Sequence, residues 1–134
     1  MAYATLDDLV ARFGEQELID QTDRVSGTNV NTEVVTRVLD DASAILDGYL
    51  AGRYALPLAT VPALLVGLCC DLARYALYPD AAPDLVKERY QNALKLLARI
   101  ADGTLQLGQS GPPAQAGLSQ VVSSPRLFAR GERS

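Results

Sequence analysis

Two ionisable side chains stand where charge is least expected. Asp71 and Arg74 lie three residues apart inside the most apolar stretch of the chain, 61–78, a spacing that places both on one side of a helix. Charges drawn into apolar surroundings persist when they are paired. The two therefore read as an ion-pair network locking helix to helix, with Asp47 and Arg53 as candidate partners; the functional alternative is a contact between subunits. The remaining carboxylates cluster as Asp7 with Asp8, Asp40 with Asp41, and Asp20 near Asp23. Adjacent residues on a helix point to different sides and do not converge on one cation, so these read as solvated surface charge. The stretch from Asp23 to Asn31 is rich in oxygen-bearing side chains. It misses the calcium-loop order of alternating acidic ligands, central glycine and terminal glutamate.

Catalytic machinery is missing by residue type as well as by spacing. The chain has no histidine, the side chain most used for proton transfer near neutral pH and the commonest zinc ligand. Its two cysteines, Cys69 and Cys70, are neighbours. That arrangement suits neither a zinc site nor a disulfide framework and predicts buried thiols in a reducing compartment. There is no glycine-rich phosphate loop and no nucleophile motif with its base. The expectation is a protein that is not an enzyme, with no catalytic, cofactor-binding or metal-binding residues.

The elements that carry these residues follow from periodicity. At 134 residues, with 49% hydrophobic and 21% charged side chains, the chain has the size and composition of one globular domain. Thr5 and Asp8 form a capping pattern for a short helix with Leu6, Leu9, Val10 and Phe13 on one face, which Gly14 closes. A second short helix, 15–22, uses Leu18 and Ile19, and 23–31 reads as an exposed loop. Asn31 or Thr32 starts the longest amphipathic segment, about 20 residues or roughly 30 Å, with Gly52 as its stop. An extended connector, 53–61, follows. Pro62 opens a helix that is apolar nearly all round and is expected at the centre. Pro83 and Asp84 open the last helix, which runs to about Asp102. The fold class is thus all-α: a small bundle of four to five helices around a central apolar helix. No stretch reads as a secretory leader or a membrane span.

After Gly103 the composition changes. Residues 104–134 are rich in glycine and proline, with apolar residues too sparse for a packed helix. The chain divides into a helical body, 1–103, and an extended carboxy-terminal arm, 104–134. The body carries nine basic and fifteen acidic residues, net −6, and the arm three basic and one acidic, net +2. Apolar residues alternate in the arm at Leu105 and Leu107 and again from Val121 to Phe128. Short extended segments of this kind can add to a partner, and Leu127 and Phe128 are costly to leave in water. The candidate neighbour-binding residues are Leu105, Leu107, Val121, Val122, Arg126, Leu127, Phe128 and Arg130.

Five segments carry a resemblance: YATLDDLVARFG at 3–14, DGYLAGRYALPL at 47–58, CDLARYALY at 70–78, ERYQNAL at 88–94 and SPRLFAR at 124–130. Together they make the chain similar to the head-to-tail adaptor proteins, also called connector or head-completion proteins, of Mu-like and related long-tailed phages and prophages. Ala129 departs from the pattern, standing where an acidic residue is expected. The resemblance implies a structural virion protein in the head–tail neck, made in the host cytoplasm. It implies a ring of about twelve copies beneath the portal, an arm reaching the portal protein, and a further contact to the next neck or tail protein, a stopper or tail terminator. It implies no cofactor and no enzyme activity. DNA would pass through such a ring without sequence-specific binding, and an acidic lumen would suit that passage by repelling the polymer. The alternative reading of the residues is a small helical DNA-binding regulator, against which the net charge of −4 and the absence of a strongly basic helix face both weigh.

Overall fold

Thr5 begins the first helix by trading hydrogen bonds with Asp8. Its Oγ1 accepts from the Asp8 amide at 3.3 Å, and Asp8 Oδ2 accepts from the Thr5 amide at 2.9 Å. This capping box starts α1 (Leu6–Phe13). Gly14, at φ 90°, ends α1 and directly precedes α2 (Glu15–Thr22), a backbone conformation that side chains with a Cβ rarely adopt. The computed structural model describes residues 2–23, 25–78 and 80–107.

Asn31 caps α3 (Thr32–Leu50), its side chain accepting from the amides of Glu33 and Val34. Pro62 and Pro83 stand immediately before α4 (Ala63–Ala76) and α5 (Asp84–Ala101), where a missing amide hydrogen costs nothing. All five elements are helices, and the described residues contain no strand. The long helix ends two residues before Gly52. Leu50 is fully buried, and its carbonyl accepts from the amides of both Arg53 and Tyr54, at 3.0 and 2.9 Å, which turns the chain there.

Helices α3, α4 and α5 pack against one another, and α1 lies on α3 and α4 with α2 beside it. As expected, α4 is the central helix: Leu65, Leu68, Cys69, Cys70, Leu72 and Ala73 are buried. It is not fully enclosed, because Leu64 faces solvent. Facing side chains complete the core, among them Leu9, Leu18, Leu46, Leu50, Leu97 and Ile100. Tyr75 of α4 and Tyr90 of α5 stack with ring centroids 3.9 Å apart and planes inclined by 11°, a stacked aromatic contact along that seam.

The amino-terminal residues are part of the fold. Tyr3 is 2% exposed; its amide donates to Ser43 Oγ at 3.0 Å and its hydroxyl to Asp47 Oδ1 at 2.5 Å. Burial and the Asp47 carboxylate together push the Tyr3 phenol well above its ordinary range. The exposed 23–31 loop is knitted by one side chain. Asp23 accepts from the Ser26 hydroxyl at 2.7 Å and from the amides of Ser26, Thr28 and Asn29, and these bonds, chiefly those of Ser26, hold its carboxyl below the usual range.

Candidate functional site

Arginines from three helices meet at one end of α4. Arg12 and Phe13 from the end of α1, Arg74 from α4, and Leu85 and Arg89 from α5 line an open cleft of about 380 Å³. Local sequence builds it. Arg12 lies across α4 at Gly67, where an added Cβ would meet its Nη1 at 3.4 Å, an ordinary contact. Leu85 sits in the first turn of α5 and Arg89 one turn further on.

Two carboxylates anchor two of the guanidinium groups. Arg74 donates from Nε and Nη2 to the two oxygens of Glu17, at 2.7 and 2.9 Å, the bidentate geometry for which arginine is suited. The same guanidinium lies over the Phe13 ring, 4.2 Å from its centroid. The hydrogen bond from Arg74 lowers the Glu17 carboxyl against the opposing effect of burial. Tyr78 also hydrogen-bonds Glu17, and burial followed by that negative charge raises the Tyr78 phenol. Arg89 Nη1 lies 3.6 Å from Asp71 Oδ1. Burial nevertheless dominates at Asp71 and raises its carboxyl despite the nearby arginines. Arg12 is exposed and forms no ion pair among the described residues. The cluster of three arginines and two acids carries one net positive charge on a body that is otherwise strongly acidic.

The expected ion-pair residues are thus present, but their partnering differs. Asp71 and Arg74 do not pair with Asp47 and Arg53. Asp47 is taken by the Tyr3 hydroxyl. Arg53 points to the end of α5, where its Nε donates to the Ala101 carbonyl at 3.4 Å, one of the acceptors left free at a helix carboxy terminus. Sequence reasoning missed Glu17, which lies 57 residues from Arg74, and it missed Arg12 and Arg89 as neighbours of the pair. The available signal was the apolar character of the 61–78 segment, which demands partners for its charges without naming them.

The candidate arm begins with a clamp. The Leu105 amide donates to the Arg99 carbonyl at 3.0 Å, and the Leu107 amide to the Tyr54 hydroxyl at 3.3 Å. Both leucines are half-buried against the core. Packing therefore continues past Gly103 to Leu107, and these two residues are engaged by their own body. Val121, Val122, Arg126, Leu127, Phe128 and Arg130 lie outside the described residues.

Burial pushes the Cys70 thiol up to about 12 and raises Cys69 as well, so neither is poised as a nucleophile. Among the described residues there is no group of three or more metal-ligating side chains and no helix long and apolar enough to cross a membrane. The cleft can hold an anionic group against an apolar wall; it holds no acid–base pair.

Residues 3–123 match the family described as Bacteriophage Mu, Gp36. The chain belongs to the phage Mu Gp36 family. It is similar to the Mu-like prophage FluMu protein gp36 of Haemophilus influenzae, 36% identical over 108 residues that make up 81% of this chain and 77% of that protein. It is also similar to gene product J of Escherichia phage Mu, 33% identical over 138 aligned positions that cover 99% of this chain and 98% of the other. A member of the Gp36 family is a protein of Mu-like phages and prophages, and in this one the body is all-helical. The similarity to gene product J runs through nearly the whole of 108–134, so that segment is shared with a relative of nearly the same extent.

Proposed function

We propose that this Gp36-family protein is a structural component of the virion, a head-to-tail adaptor. About twelve copies form a ring beneath the portal, and the ring lies in the neck around the DNA channel. Residues 108–134 reach the portal protein, and the opposite face meets the next neck or tail protein, a stopper or tail terminator. DNA passes through without sequence-specific binding. The observation that carries this reading is the contrast in the sequence between an acidic body that folds into packed helices and a basic carboxy-terminal stretch rich in glycine and proline, whose first residues are held to the body through Tyr54. Membership of a Mu-phage family supports it. Charge supports it too, since a basic segment on an acidic body favours docking onto an acidic neighbour.

Deleting residues 118–134 tests the reading. Attachment to purified portal protein is expected to be lost in a sedimentation or pull-down assay, while the helical circular dichroism of the body is unchanged. Undiminished attachment would discard the arm as the portal contact.

A further inference from the structure

We propose that the arginine cleft receives the acidic outer face of α3 from a second copy of this chain, with Ile45 of that copy seated beside Leu85. The inference rests on the ring reading above and assigns the surfaces that join neighbouring subunits.

The cleft is open and chemically mixed. Leu85 is 57% exposed, Arg12 and Arg89 are exposed, and Phe13 is half-buried. A matching surface has to bring carboxylates and an aliphatic side chain together. The outer face of α3 does so: Glu33, Asp40 and Asp41 are exposed there with a single arginine, Arg37. Ile45, 40% exposed, lies one turn beyond Asp41 on the same side of the helix. Ala44 and Gly48 flank it with little bulk, which allows close approach.

Other occupants match less well. The chain's own carboxy-terminal segment is net positive and meets like charge. A nucleic-acid backbone offers nothing to Leu85 and Phe13 and would face the Glu17 and Asp71 carboxylates. The two proposed surfaces come from different elements, the cleft from α1, α4 and α5 and its counterpart from α3. The contact is consequently head-to-tail, the type that closes into a ring when the rotation permits.

Cysteine cross-linking of the full chain tests this. Both substituted positions are exposed, and Cys69 and Cys70 are buried. Leu85→Cys protein mixed with Ile45→Cys protein is expected to form a disulfide-linked dimer under mild oxidation, while each alone forms little. Adding Arg12→Glu to the first lowers the yield about tenfold, and adding Asp41→Arg to the second restores it. Equal cross-linking of each variant with itself would overturn the head-to-tail contact. If the wild-type chain assembles in sedimentation but the mixture gives no disulfide, the cleft is not the subunit contact and the ring reading survives. A chain monomeric both alone and on the portal removes both. Binding of a short DNA duplex that is lost in Arg12→Glu would reassign the cleft to phosphate.

Discussion

Glu17 and Asp71 are carboxylates in the same cluster, yet their environments act on them in opposite directions. The hydrogen bond from Arg74 lowers Glu17 from an ordinary value of 4.5. Its contribution to stability is complete above that value and is lost as the pH falls through the lower folded one. Asp71 is raised by burial, so the folded protein keeps that proton longer than the unfolded chain, and stability declines as the pH rises through the interval between the two. Urea unfolding between pH 3 and 7 should therefore separate the two substitutions. Glu17→Gln is expected to cost about 1–3 kcal/mol at neutral pH, the scale of a charge-assisted hydrogen bond, and to flatten the acid limb. Asp71→Asn is expected to change stability by less than about 1 kcal/mol, because its partner Arg89 is exposed, and to gain on the wild type as the pH rises. The sequence identified Asp71 and Arg74 as charges needing partners because their segment is apolar. The partners themselves were not legible: Glu17 rides on an eight-residue helix whose placement is set by the tertiary burial of Leu18, and no local pattern encodes that.

At the scale of elements, the starts of helices were the most legible features. Thr5 with Asp8, Asn31, Pro62 and Pro83 all stand where expected, because capping is local chemistry written within three or four residues. Ends were less so. Gly52 looked like a stop, but the burial of Leu50 decided the boundary, and Gly103 looked like the end of the body although Leu105 and Leu107 return to it. That return depends on Gly103 itself. Its φ is 88°, and a Cβ there would stand 2.7 Å from the Arg53 guanidinium carbon. Gly103→Ala is expected to cost about 1–3 kcal/mol in thermal or urea unfolding through backbone strain and displacement of Arg53 from Ala101. Faster hydrogen exchange at the Leu105 and Leu107 amides would locate the damage. An unchanged midpoint with unchanged exchange would mean that the clamp tolerates a side chain there.

Taken whole, the described residues form one packed helical body. The body completes its own core, with Tyr3 stitched to α3 and Leu107 held by Tyr54, and its surface carries an acidic α3 face and an arginine-lined cleft. The all-helical class was legible because periodicity and caps agree along the chain. The cleft was not, because it assembles side chains from the ends of three helices. The stacked rings of Tyr75 and Tyr90 have a practical consequence. With six tyrosines, two phenylalanines and no tryptophan in the chain, the near-ultraviolet circular dichroism comes mainly from tyrosine, and a closely coupled pair should contribute strongly to it. Tyr90→Leu is expected to diminish that band while leaving the far-ultraviolet helical signal in place. The α4–α5 seam would then carry a built-in optical reporter of its own packing, readable without any attached dye.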